Sequence, residues 1–157
     1  MENKILNIDD GLLRLDINGN GLLIFNPTDF NLYDRFMQLH KDLPAIEKKY
    51  IDEIESMEDG SDEDLELTGK AMAKAHEMDK ALKARLSEVF GLQNDFDKLL
   101  GGVNLMAFGG NGQRVVTNLL EALTPYIEEG VNRHLSDDVA QAKANRQQRR
   151  AAQRGGK

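Results

Sequence analysis

The sequence contains no cysteine and no tryptophan, and aromatic residues make up only 6% of it. The absence of cysteine excludes disulfides, thiolate nucleophiles and cysteine-ligated zinc or iron–sulfur sites, and it suits a reducing compartment. The apolar residues, 40% of the chain, therefore predict a core of Leu, Ile, Val and Met rather than of large rings. A chain of 157 residues fits one domain, which at this size buries about two-thirds of its unfolded surface.

Long apolar runs are also missing. The longest, such as residues 22–25, span a few residues, whereas a membrane-spanning helix needs about 20. The first ten residues, MENKILNIDD, carry acids where a signal peptide has a basic and then an apolar stretch. We therefore expect neither a membrane span nor export, and a cytoplasmic location.

The charge is divided unevenly along the chain. Residues 1–142 hold 14 of the 20 Lys and Arg residues and all 27 acids, which gives a net charge of −13. Residues 143–157 hold the other six basic residues and no acid. The sequence thus describes an acidic body with a basic tail.

Residues 4–26 contain three strand-like segments, KILNI, LLRLDI and LLIF, separated by the turn signals DDG and NGNG. This pattern predicts a β-hairpin or a three-stranded meander. The stretch DINGNG also matches the first half of an EF-hand loop, but Pro27 occupies its last ligand position and no helix precedes it. A hairpin turn is the better interpretation, and no calcium site is expected.

From Thr28 the apolar residues recur at spacings of three and four, which predicts helices over residues 28–134. Pro44 is expected to kink or restart the first helix near Lys41. Residues 52–66 carry nine acids and no Lys or Arg, so a solvated loop is expected there.

Capping residues suggest where the later helices begin and end. Ser61 and Asp64 approximate a capping box for the second long helix, and Asn94 is expected to cap a short helix that ends at glycines 101–102. A further helix is expected over about residues 113–134, with Ser136 starting a separate last one.

The expected fold is α+β and mainly α: the β element at residues 4–26, then a bundle of about four to five helices. One compact domain covers residues 1–136, and residues 137–157 form a basic, Ala/Arg-rich tail that is helical or disordered. The residues predicted to be buried together are Leu86, Phe90, Phe96, Leu99, Leu119, Leu120 and Leu123.

The glycine-rich stretch GGVNLMAFGGNGQRV, residues 101–115, invites comparison with a phosphate-binding loop. It has no Lys, and no buried strand leads directly into it, so helix-ending and helix-starting glycines are the better interpretation. The three histidines lie far apart and form no metal-binding pair. We therefore expect no ligand at residues 101–112, no cofactor or metal, and no enzymatic activity.

The tail NRQQRRAAQRGGK leaves three interpretations open: a solvated helix end, a flexible arm for an acidic partner, or a phosphate-binding element. The last would make this a small nucleic-acid-associated or regulatory protein. The tail has no aromatic residue for stacking on bases, and an acidic body repels nucleic acid. Nucleic acid is therefore the less favoured partner.

The order of these features resembles a known family. A short β element, ILNIDDGLLRLDI, leads through FNPTDFNLYDRFMQL into a long helix, and an acidic linker follows. The body then closes with LSEVFGLQNDFDKLLGGVNLMAFGGNGQRVVTNLLEALTPYIEE. Over residues 4–134 this pattern is similar to the small acidic tail assembly chaperones of long-tailed bacteriophages.

The resemblance implies a non-enzymatic protein that coats the long helical tape-measure protein during tail assembly and is absent from the finished virion. Contact with the tail tube protein and self-association are further expectations. Flexible Met side chains suit a groove for an apolar helix, although any of them could equally be core. The candidate partner-binding residues are Met37, Met72, Met106, Arg146, Arg149 and Arg150.

The resemblance also implies that such chaperones are made in two lengths by a −1 ribosomal frameshift. Residues 155–157, Gly-Gly-Lys, could be encoded by a slippery run of G and A. One interpretation is that this chain is the short form and its tail a loosely attached connector. The alternative is a ragged terminus with Gly-Gly-Lys by chance.

Overall fold

The computed structural model describes residues 2–57 and 64–155 of the chain. In these residues two strands and four helices follow one another: β1 (Leu13–Asp16), β2 (Leu22–Phe25), α1 (Phe30–Met57), α2 (Asp64–Phe90), α3 (Phe96–Leu99) and α4 (Val115–Gly155). The fold is α+β and mainly α, with an N-terminal hairpin, as the sequence predicts.

The hairpin forms where the Asn-Gly signal places it. Strands β1 and β2 are antiparallel, with Leu13 opposite Phe25. In the turn, Asn18 and Gly19 both have positive φ (53° and 77°), the conformation that favours Asn and Gly in tight hairpins. The Asn20 N–H donates to the Ile17 carbonyl at 2.9 Å and closes the turn.

The third predicted strand, residues 4–8, is not formed, so the meander alternative is wrong. Residues 2–12 have no regular secondary structure. The Asp9 and Asp10 carboxylates accept the N–H groups of Gly11 and Leu12, and the Asn26 amide donates to the Asp10 carbonyl at 2.9 Å. These local bonds lead the chain past the end of β2 instead of back along β1.

Helix α1 continues through Pro44 without the expected restart. Pro44 lies on the exposed side, while Leu39 and Leu43 before it are buried in the core. Helices α1 and α2 also extend into both ends of the acidic segment 52–66, so a loop over the whole segment is wrong. Ser61 and its predicted capping box lie outside the described residues.

The short helix α3 is capped one residue later than predicted. Asp95 is its N-cap, and its side chain accepts the Lys98 N–H. Asn94 is instead buried, with 3% of its surface exposed. Its side chain bonds both backbone groups of Ile24 and donates to the Phe90 carbonyl. Asn94 thus joins strand β2 to the end of α2.

Helix α4 runs for 41 residues without a break, so the predicted start of a separate helix at Ser136 is wrong. Its first half carries the core residues Leu119, Leu120 and Leu123. All seven residues predicted to be buried together are in the core, which confirms that prediction. From residue 135 to residue 155 every residue of α4 is exposed, so this part of the helix projects from the body.

Candidate partner-binding site

An apolar groove lies between the second half of α1 and the first half of α2. Its volume is about 400 Å³. The lining residues are Tyr50, Ile54, Leu67, Thr68, Ala71, Met72 and Ala75. Most of these are half-buried, but the Met72 side chain stands at the lip with 67% of its surface exposed.

The glycine-rich loop places an aromatic side chain beside this groove. The Arg114 guanidinium lies 4.6 Å from the centre of the Phe108 ring and 5.5 Å from that of Tyr50, distances at which a cation is attracted to an aromatic face. Arg114 also donates to the Met106 carbonyl at 2.7 Å. The Phe108 ring is nevertheless 65% exposed, so it is held in place but free to contact a partner.

A cluster of charged groups anchors the start of this loop. The Asp79 carboxylate accepts the Leu105 N–H at 2.7 Å, and Lys83 Nζ lies 2.8 Å from Asp79 and 2.7 Å from Asp97. Burial acts to lower the pKa of Lys83, but its hydrogen bonds to the two carboxylates outweigh burial and raise that pKa. The hydrogen bond from Lys83 lowers the pKa of Asp97, so Lys83 and Asp97 are both charged near neutral pH.

An ion pair also links the two helices that form the groove. Lys74 Nζ lies 2.6 Å from Glu53 and 3.8 Å from Glu77, and the hydrogen bond with Glu53 raises the pKa of Lys74. The chain that connects the two groove helices belongs to the acidic segment 52–66, with nine acids and no Lys or Arg. An apolar surface beside excess negative charge suits a partner whose apolar stripe is flanked by Lys or Arg.

The three candidate methionines are not brought together. Met72 lies at the groove, whereas Met37, 40% exposed, lies on a separate surface of α1 with Asp34 and Lys41. Met106 is only 4% exposed and belongs to the core. Of the three, Met72 alone is part of the groove.

Arg146, Arg149 and Arg150 are all exposed on the projecting part of α4. Arg146 and Arg150 share a face with Lys143 and Arg154, because the spacings of three and four residues match the helical repeat. Arg149 is turned about 100° away from its neighbour Arg150. These basic residues form a surface of their own, distinct from the groove.

The sequence alone does not reveal most of the groove. Tyr50 and Ile54 fit the core-facing pattern of α1. That pattern does not indicate that these side chains are only half-buried and line a groove. The one signal in the sequence that could have pointed to the groove is the pair of Phe108 and Arg114, which flank a glycine-rich turn. As a motif, however, this turn resembles only a weak anion-binding site.

The structure was also searched for metal-binding sites and for membrane-spanning helices. In residues 2–57 and 64–155 no group of three His, Asp or Glu side chains is arranged to hold a metal ion. No helix in the same ranges is long and apolar enough to cross a membrane. Comparison with protein families, curated proteins and solved structures finds no significant match.

Proposed function

We propose that this protein is a non-enzymatic tail assembly chaperone, which binds the long helical tape-measure protein of a phage tail and keeps it soluble. The observation that carries the proposal is the apolar groove between α1 and α2, with Phe108 exposed beside it. Grooves of this kind bind one face of an amphipathic helix. The family resemblance of residues 4–134 supplies the identity of the helical partner.

The side chains at the groove suit a partner with many similar segments. Met72 is unbranched and flexible, so it adapts to different apolar side chains. The exposed Phe108 ring offers an aromatic anchor, a residue type common in binding hot spots. The acidic segment 52–66 favours helices that carry Lys or Arg beside their apolar stripe.

Co-expression with the long helical product of a neighbouring gene tests the proposal. The wild-type chaperone should raise the soluble amount of that product several-fold and purify with it. Met72→Asp should abolish both effects, because it places a charge at the lip of the groove. Leu92→Asp is the matched control, since Leu92 is 83% exposed and outside the groove. No association with the wild-type protein would refute the proposal.

The proposal extends to where the protein acts. We expect it in the host cytoplasm during assembly, with the tail tube protein as a second contact, and not in the mature virion. Mass spectrometry of infected-cell extracts and of purified virions checks this: the protein should be abundant in the first and missing from the second.

We also propose that the gene uses a −1 ribosomal frameshift and that this chain is the short form of its product. Synonymous codons that break the slippery run at residues 155–157, or a closed −1 reading frame beyond it, would refute it.

One observation favours the second candidate function, nucleic-acid binding: Lys143, Arg146, Arg150 and Arg154 share one face of an exposed helix. Binding through phosphates would weaken steeply with salt. Anisotropy of labelled DNA and RNA across a salt series, for the wild type and for Arg146→Glu/Arg150→Glu, decides between the functions. If the wild type and the double variant bind nucleic acid equally weakly, nucleic-acid binding is ruled out as the function.

A further inference from the structure

Residues 4–8, KILNI, form an exposed apolar segment. Ile5, Leu6 and Ile8 are 86%, 87% and 74% exposed. They lie in residues 2–12, which have no regular secondary structure although the sequence has the composition of a strand. Three large apolar side chains within four residues, all open to water, suggest a segment that is buried in another state of the protein.

The hairpin next to this segment has one closed edge and one open edge. At the edge of β2, the N–H and C=O of Ile24 both bond the Asn94 side chain at 2.9 Å. Ile24 lies opposite Arg14, so in this antiparallel pair the N–H and C=O of Arg14 also point outwards, towards the free edge of β1. The same holds for Asp16, two residues on.

No hydrogen bond of the described residues reaches those backbone groups from the open side. An unpaired strand edge is a template for another strand.

The segment does not reach this edge within its own chain. The Asn26 amide holds the Asp10 carbonyl at 2.9 Å, so residues 10–12 run beside the end of β2. Pairing within one chain would require this bond to open and the segment to cross to the other side of the hairpin. A second molecule is under no such constraint.

We infer that residues 4–8 of one molecule add as a third strand to the free edge of β1 in a second copy of the chain. The five-residue segment is long enough to pair with all four residues of β1. In the added strand, Leu6 and Ile8 share one face, which would extend the apolar face of Leu13 and Leu15, both packed against the core.

A second copy is favoured over a foreign strand because it meets two needs at once. It pairs the open edge of β1 and it covers the exposed segment 4–8. A foreign strand on β1 would leave Ile5, Leu6 and Ile8 exposed. This association uses a different surface from the groove, so it is independent of the proposed function.

Sedimentation velocity and light scattering of the full chain, from about 1 to 500 µM, test the inference. The wild type should convert from monomer to dimer or larger species as concentration rises. Asn7→Pro removes a backbone donor in the segment, and Leu6→Ser/Ile8→Ser removes its apolar face. Each variant should weaken association by about tenfold or more, whereas Leu92→Ser, which removes an equally exposed leucine elsewhere, should not.

Hydrogen exchange identifies the edge. The amides of Arg14 and Asp16 should exchange more slowly as the wild-type protein associates, and should show no such change in Asn7→Pro. A wild type that stays monomeric over the whole range overturns the inference, as does association that Asn7→Pro leaves unchanged. If such a monomer still solubilises the helical partner, the proposed function survives without this inference.

Discussion

At the scale of single residues, Gly130 shows how closely the long helix crosses the body. A Cβ atom built at this position would overlap the Pro27 carbonyl oxygen and would lie 2.7 Å from the Pro27 Cβ. Pro27 is itself buried in the connection between β2 and α1. The contact therefore fixes where α4 passes the hairpin, and nearby His134 stacks on the Phe30 ring at 3.8 Å.

Gly130→Ala should destabilise the protein by about 1–3 kcal/mol or more, because the methyl group collides with backbone that the core holds in place. Gly69→Ala is the matched control: Gly69 is also helical, but a Cβ there has no neighbour within 4 Å. The control should stabilise by up to about 1 kcal/mol through helix propensity. Urea unfolding measures the stability change of each variant. Equal effects of the two substitutions would show that α4 does not pass as close to Pro27 as described.

Leu120 is 1% exposed at the centre of the core. Leu120→Ala should therefore lower the free energy of unfolding by about 2–5 kcal/mol, from lost burial and from the cavity left behind. Leu135→Ala, on the exposed part of the same helix, should change it by less than about 0.5 kcal/mol. Denaturant titration of the two variants checks the facing of α4.

At the scale of helices and strands, the sequence predicts correctly those features that neighbouring residues in the chain determine. The Asn-Gly turn and the apolar faces of the helices are predicted correctly. The errors arise where contacts between residues far apart in the sequence determine the structure. Helix α1 continues through Pro44, and Leu39 and Leu43 just before it are buried in the core. Asn94 bonds β2 instead of capping α3. Likewise, the open side of the groove depends on how α1 and α2 meet, which no spacing in the sequence reveals.

The ion cluster that joins α2 to α3 predicts a pH dependence. Lys83 lowers the pKa of Asp97, so this interaction stabilises the fold above the ordinary carboxyl pKa of 3.8 and is lost as pH falls through the folded value. Asp97→Asn should lower the melting temperature at pH 7. The difference from the wild type should then shrink below about pH 4, as thermal melts between pH 3 and 7 can show.

The control for that experiment is Asp34→Asn, because Asp34 is an exposed acid that forms none of the ion pairs seen in the described residues. A difference between wild type and Asp97→Asn that stays constant down to pH 3 would contradict the role given to the Lys83–Asp97 contact.

At the scale of the whole molecule, an acidic body carries a projecting basic helix. The residues of α4 from 135 to 155 are all exposed, and the last 15 residues of the chain have no acid. The structure thus separates three surfaces: the groove, the hairpin edge and the basic helix. Each can be altered by substitutions that leave the core intact.

Deleting residues 143–157 should leave the melting temperature within about 2 °C of the wild-type value, because the exposed helix adds little to the packing of the body. Differential scanning calorimetry measures this. A decrease of more than about 5 °C would show that the tail docks on the body and stabilises it.

The central claim is that the groove between α1 and α2 binds an apolar helix, and calorimetric titration tests it most directly. Helical fragments of the tape-measure candidate, with an apolar stripe flanked by Lys and Arg, would be titrated into wild type, Met72→Asp and Leu92→Asp. We predict saturable binding to the wild type and to Leu92→Asp, and at least about tenfold weaker binding to Met72→Asp. Equal affinity for all three proteins, or no binding to the wild type, would contradict the account.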